Sequence, residues 1–148
     1  MITVLFRLLV TYLLAGVIAP TAYACSCITG RALQTQLSNA SYVFIARVIS
    51  THEIKSRSDI PQWGGVSANF TLVKEIKGKS KSLGVVETGY GDGDCGVPLS
   101  VGRTYIFFAG PKGEIDICSG TQGYISGYEP HENSLLKIMS LTNHAAKP

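Results

Sequence analysis

Apolar positions cluster along the chain in short runs that predict mainly β structure. The clearest runs are Tyr42 to Ile49 and Thr104 to Ala109, whose β-branched and aromatic residues are typical of buried strands. Glycine, proline and polar residues separate the runs and predict turns between them. We therefore predict five strands, at Tyr42 to Ile49, Ala68 to Lys77, Leu83 to Thr88, Thr104 to Ala109, and Glu114 to Cys118.

Two segments outside these runs have helical spacing instead. Leu33 and Leu37 lie four residues apart within Arg31 to Asn39, and Glu132 to Leu141 carries its apolar residues on one side. An antiparallel sheet of five strands must protect its edges, and a common solution is closure into a small barrel. We expect a mainly β fold: a closed five-stranded barrel similar to the oligonucleotide/oligosaccharide-binding (OB) fold, with short flanking helices.

The first 24 residues have the pattern of a signal peptide. A lone Arg7 precedes an apolar run from Leu8 to Ala19, and Ala22-Tyr23-Ala24 supplies small residues for signal peptidase. The apolar run is too short to cross a bilayer comfortably, and no later segment approaches the roughly 20 apolar residues of a membrane span. We expect residues 1–24 to be removed, leaving residues 25–148 as a single domain, secreted or periplasmic.

The charge pattern argues against a nucleic-acid partner. The formal net charge is +3, and loss of the leader removes only Arg7 among the charged residues. A protein that binds phosphate backbones usually shows a clustered basic face. The densest basic group here is interpreted as a solvated loop: Lys74, Lys77, Lys79 and Lys81. We expect a monomer without a membrane span.

Four cysteines, Cys25, Cys27, Cys95 and Cys118, would enter an oxidising compartment after export. An even number of thiols there is most simply explained by two disulfides, of which three pairings are possible. Cys25 and Cys27 are poorly placed to bridge each other, so each should reach into the body of the domain. A zinc site is the alternative, but Cys-x-Cys lacks the Cys-x-x-Cys spacing of structural zinc.

No motif predicts an enzyme or a bound cofactor. Around Ser119, the Gly-x-Ser-x-Gly frame of a nucleophile elbow would need glycine at Ile117. Oxidised thiols cannot act as nucleophiles. Asp92 and Asp94 could offer oxygens to calcium, but no glutamate follows at the required distance. We therefore expect a binding protein without a cofactor of its own.

The cysteine frame resembles a known family. Its elements, in order, are the following: Cys25-x-Cys27, a short helix, Ala46-Arg47-Val48, Phe70-x-x-Val73-Lys74-x-Ile76-Lys77-Gly78, Cys95-Gly96, Val101-Gly102-Arg103-x-Tyr105 and Cys118. From Cys25 to about Thr121, the chain is similar to the N-terminal, netrin-like domain of the tissue inhibitors of metalloproteinases. It lacks the third disulfide of the animal inhibitors and their C-terminal domain, as the short bacterial-type members do.

This resemblance implies specific disulfides and a function. Cys25 would pair with Cys95, and Cys27 with Cys118. The free α-amine and the carbonyl oxygen of Cys25 would bind the catalytic zinc of a target metalloprotease, which is the implied partner. Ser26 would enter the main specificity pocket of that protease. The implied contact residues are Cys25, Ser26, Cys27, Ile28, Gly93 and Asp94.

Other interpretations of the same features remain open. The cysteines could simply attach an N-terminal strand to a non-inhibitory netrin-like module that binds or supports the cell envelope, through the barrel face or the Trp63 loop. Alternatively, Cys25 could carry a lipid anchor. Tyr23 fits a lipoprotein signal poorly, and acylation of Cys25 would leave an odd number of thiols.

Overall fold

The computed structural model describes Cys27 and residues 32–145, which form a mainly β fold with two helices. Helix α1 is Leu33–Asn39, and helix α2 is Glu129–Ala145. The five strands are β1 (Tyr42–Ile54), β2 (Gly65–Lys77), β3 (Val85–Thr88), β4 (Thr104–Ala109) and β5 (Gln122–Tyr124). Short 3₁₀ turns lie at Ser80–Ser82 and Asp92–Asp94.

All five strands belong to one antiparallel sheet in the order β3-β2-β1-β4-β5. The prediction of a closed barrel is wrong, because no strand ladder joins the edge strands β3 and β5 in the part of the chain that is described. A single parallel bridge, between Glu87 of β3 and Glu114, connects β3 to the segment that follows β4. The sheet therefore stays open.

The fifth predicted strand, Glu114 to Cys118, is also wrong. Ile115 N–H donates to the Glu87 carbonyl over 2.8 Å, but the backbone after Ile115 leaves β3: Ile117 N–H donates to the Cys95 carbonyl over 3.0 Å, and Cys118 N–H to the Asp116 carboxylate over 2.7 Å. A bond to a nearby side chain, such as that to Asp116, offers the backbone an alternative to a strand ladder. The fifth strand is instead β5, whose three residues include Gly123 and are too few to show a periodic pattern.

The central strands β1 and β4 bury side chains on both faces of the sheet. Successive side chains on a strand point to opposite faces, so each strand contributes to two cores. One core contains Phe44, Ala46, Val48, Ala68, Val86, Val97, Tyr105, Phe107, Ala109 and Ile115. The other lies under the helices and contains Leu37, Ala40, Val43, Ile45, Ile106, Phe108, Leu135 and Ile138.

Strands β1 and β2 form a longer hairpin than the apolar pattern predicts. Pairing continues to Ile54 opposite Gly65, beyond the last buried residue of β1, Val48. The connecting loop, residues 55–64, follows this extension. The loop there contacts the glycine-rich segment that follows β3, because Gly64 lies beside the hydroxyl of Tyr90.

Part of the basic group has a structural role, which corrects its interpretation as a solvated loop. Lys77 lies in β2, and its Nζ donates to the carbonyls of Leu37 and Ala40 over 2.6 and 2.5 Å. The last carbonyls of a helix lack partners within the helix, and a cation there is favourable. Lys77 thus joins the C-terminal end of α1 to the sheet.

Candidate functional site

One predicted disulfide, Cys27–Cys118, joins the chain ahead of α1 to the segment between β4 and β5. The two Cα atoms are 5.3 Å apart, and 91 positions separate them in sequence. This confirms the pairing that the family resemblance implies, and it excludes zinc ligation by these two thiols. None of the described cysteines is a free thiol.

Several predicted features lie outside the described residues. They are the signal peptide at residues 1–24 and three of the implied contact residues, Cys25, Ser26 and Ile28. The Cys25–Cys95 pairing, the zinc-binding amine and the lipid anchor therefore stay predictions.

The glycine-rich segment from Gly89 to Gly96, here called the Cys95 loop, is organised around one carboxylate. Asp94 accepts hydrogen bonds from the backbone N–H groups of Tyr90, Gly91 and Gly96, over 2.6, 2.8 and 3.1 Å respectively. Burial alone would raise the pKa of Asp94, but these N–H donors together hold the pKa below its ordinary value. The carboxylate is thus directed into its own loop.

Close packing explains two of the glycines in the Cys95 loop. A Cβ atom on Gly89 would lie 2.5 Å from the Asp94 carboxylate, and one on Gly96 would lie 2.2 Å from the Gly89 carbonyl oxygen. Both distances are far below van der Waals contact. At Gly93, in contrast, an added Cβ atom would meet nothing within 4 Å, so packing does not require a glycine there.

The fold brings the Cys95 loop and the Cys27–Cys118 disulfide together. Ile117 N–H donates to the Cys95 carbonyl over 3.0 Å, and Ile117 directly precedes Cys118. Cys95 itself has φ 62°, a left-handed conformation that is uncommon for a residue with a side chain. The predicted site residues Cys27, Cys95 and Cys118 therefore share one edge of the molecule.

Arg57, in the loop between β1 and β2, is a buried residue that the sequence pattern did not single out. Only 5% of Arg57 is exposed, and its guanidinium binds both carboxylate oxygens of Asp59, Nε over 2.9 Å and Nη2 over 2.5 Å. The hydrogen bond with Asp59 raises the pKa of Arg57, which burial alone would lower, and the charges of Asp94 and Asp116 add to the rise. Arg57 therefore links its own loop electrostatically to the Cys95 loop and to the segment ahead of Cys118.

Tyr90 is the second residue that the sequence pattern did not single out. Its hydroxyl donates to Glu53, near the end of β1, over 2.7 Å, and this hydrogen bond is the main reason why the pKa of Tyr90 is raised. Trp63, beside Gly64 in the neighbouring loop, is also exposed. The only feature of the sequence that points to Tyr90 is its position as an aromatic residue within a run of glycines and aspartates. This feature by itself does not distinguish a residue that contacts a partner from a residue that forms a turn.

A cavity of about 160 Å³ opens beside Cys118 and has three carboxylates in its lining, those of Asp59, Glu114 and Asp116. Each already has a partner: Asp59 binds Arg57, Glu114 accepts the Lys112 N–H, and Asp116 accepts the Cys118 N–H. Within residues 32–145 and Cys27, no three His, Cys, Asp or Glu side chains are grouped to hold a metal ion. We assign no metal site to this cavity.

Two comparisons with known proteins found no relative. A scan against protein-family models found no match, and neither did a search of curated proteins. Within the described residues, no helix is both long and apolar enough to cross a membrane.

Proposed function

We propose that this protein is an exported inhibitor of zinc metalloendopeptidases that binds the catalytic zinc of its target through the free amine and carbonyl oxygen of Cys25. The observation that carries the proposal is the Cys27–Cys118 disulfide, which the family resemblance implies independently of the fold. The proposal includes a netrin-like domain, a second disulfide between Cys25 and Cys95, removal of residues 1–24, and secretion or a periplasmic location.

The chemistry follows from the open coordination position of a catalytic zinc. Such a zinc has three protein ligands and one water, and a bidentate group can displace the water. The α-amine binds only when it is unprotonated, and an ordinary α-amine has a pKa of about 7.7 to 8.0. Binding by this route therefore strengthens as the pH rises through that range.

Two features of the described residues support a binding edge at this position. The Cys27–Cys118 disulfide restrains the chain two residues after Cys25, and the three bonds to Asp94 hold the adjacent Cys95 loop. Restraint before binding lowers the entropy that is lost on binding. In this proposal Ser26 enters the main specificity pocket, while Cys27, Ile28 and Gly93 contact the cleft, and Asp94 acts by holding its loop.

The test uses the purified mature protein. Intact mass and N-terminal sequencing identify the first residue and the number of disulfides, and the same sample is titrated against a panel of zinc endopeptidases. The matched control carries one extra alanine ahead of Cys25, which turns the amine into an amide and a poor zinc ligand.

We expect a chain that begins at a free Cys25, contains two disulfides and inhibits at least one protease, with inhibition abolished in the extended control. Equal inhibition by the extended control would refute zinc binding through the amine. If a free, fully oxidised Cys25 inhibits none of the panel at high micromolar concentration, the protein is instead a non-inhibitory netrin-like binding module.

A further inference from the structure

Tyr90 is an exposed aromatic residue that is held at both ends. It is 56% exposed, yet its backbone N–H donates to Asp94 over 2.6 Å and its hydroxyl to Glu53 over 2.7 Å. An exposed tyrosine without such bonds moves among several side-chain conformations, and ordering it on binding costs free energy. Here the bonds place the ring before any partner arrives.

A third residue, Gly64, makes room for this arrangement. A Cβ atom at Gly64 would lie 2.9 Å from the Tyr90 hydroxyl and 2.8 Å from the Ile54 carbonyl oxygen, so any side chain there would disturb one of them. Three separate parts of the chain therefore determine where the ring lies: the end of β1, the loop before β2, and the Cys95 loop.

Tyr90 belongs to the loop that forms part of the edge to which the proposed function assigns target binding. The Cys95 loop contains both Tyr90 and Cys95, and the Cys95 carbonyl is bonded to the residue next to Cys118. Pre-ordered tyrosines are favourable contact residues, because they bury a large area with little loss of entropy and are enriched among the residues that dominate binding energy.

We propose that Tyr90 is a specificity-determining contact of this edge, which packs against the surface of the target metalloprotease beside its active-site cleft, with Glu53 and Asp94 as the residues that position it. This inference rests on the proposed function. In this inference Tyr90 contributes to binding without contacting the zinc. Its contribution to affinity should differ from one protease to another, because protease surfaces vary outside the cleft.

The experiment compares inhibition constants of four variants of the mature protein over the same protease panel. Tyr90→Ala removes the ring, Tyr90→Phe keeps the ring but loses the Glu53 bond, and Glu53→Gln weakens that bond without touching Tyr90. Leu136→Ala is the matched control, since Leu136 is a similarly exposed apolar residue, 63% exposed, on helix α2. Thermal unfolding of each variant checks that the fold is retained.

We expect Tyr90→Ala to weaken inhibition by about tenfold or more for at least one protease, by unequal factors across the panel, and Leu136→Ala to stay within about twofold. Tyr90→Phe and Glu53→Gln should give smaller losses, with the same order of proteases. A purely structural role of Tyr90 would instead weaken inhibition of all proteases equally and lower the unfolding temperature.

Two negative results have different meanings. If the wild-type protein inhibits but Tyr90→Ala matches Leu136→Ala throughout, this inference is wrong and the proposed function stands. If the wild-type protein inhibits nothing, both are wrong.

Discussion

The backbone N–H of Ile117 donates to the carbonyl of Cys95 over 3.0 Å. This bond joins the Cys95 loop to the segment that carries Cys118, although 22 positions separate the two residues in sequence (117 − 95). The stability of this edge should therefore depend on both the Cys95 loop and the Cys27–Cys118 disulfide.

Removal of the Cys27–Cys118 disulfide should destabilise the protein strongly. In the chain-entropy model, a bridge across 91 positions contributes about 4.6 kcal/mol to the free energy of unfolding. The double variant Cys27→Ala with Cys118→Ala, which leaves no new free thiol at these positions, should show this loss in guanidinium unfolding. A loss below about 1 kcal/mol would mean that the bridge does not restrain the unfolded chain in the way that chain entropy requires.

Replacement of Asp94 by asparagine should loosen the Cys95 loop. The variant keeps the size of the side chain but loses the negative charge of the carboxylate, which accepts hydrogen bonds from three backbone N–H groups. A hydrogen bond to a charged group contributes up to about 3 kcal/mol to stability. We expect faster hydrogen exchange at the amides of Tyr90, Gly91 and Gly96. Glu129→Gln, at an exposed position in α2, serves as the control and should leave those three rates unchanged.

Stability should also fall at low pH, partly through Asp94. Its pKa is lowered in the folded state, so its stabilising effect is fully present above the unfolded pKa of about 3.9 and is lost as the pH falls through the lower folded value. Unfolding free energies of the wild type and Asp94→Asn should therefore differ most above about pH 4 to 5 and converge as the pH falls below the unfolded pKa of about 3.9. A difference that is the same at both ends of this range would show that ionisation of Asp94 does not contribute.

The two glycines Gly96 and Gly93 provide a matched pair for testing the packing of the Cys95 loop. A methyl group at Gly96 would lie 2.2 Å from a backbone oxygen, whereas one at Gly93 would meet nothing within 4 Å. We expect Gly96→Ala to lower the free energy of unfolding by about 1 to 3 kcal/mol and Gly93→Ala to change it little. Equal unfolding temperatures for the two variants would contradict the observed loop geometry.

Short-range pattern was sufficient to predict the central elements. Strand β4, Thr104–Ala109, has the predicted bounds. An apolar run of this length that is bounded by turn residues is typical of a buried strand. The Cys27–Cys118 pairing came from the order of several motifs that resemble a family, since spacing alone left the pairing open.

The errors lie where distant backbone groups decide the outcome. Residues 114–118 have an apolar alternation that resembles a strand, but the backbone bonds β3 only as far as Ile115, and Ile117 N–H then bonds the Cys95 carbonyl instead of a strand. Alternation reports which side chains can be buried and does not identify the partner of a strand, so it could not distinguish a closed barrel from an open sheet.

The sequence by itself determined a β-rich chain with a leader-like N-terminus, a set of four cysteines and a glycine-rich loop ahead of Cys95. These properties depend on residue type and local spacing. Only the tertiary structure decided that Asp94 turns into its loop, that Arg57 is buried, and that Glu53 holds the ring of Tyr90. The Glu53–Tyr90 bond spans 37 positions, and the burial of Arg57 depends on the packing that sheet pairing creates, so no local pattern records either of them.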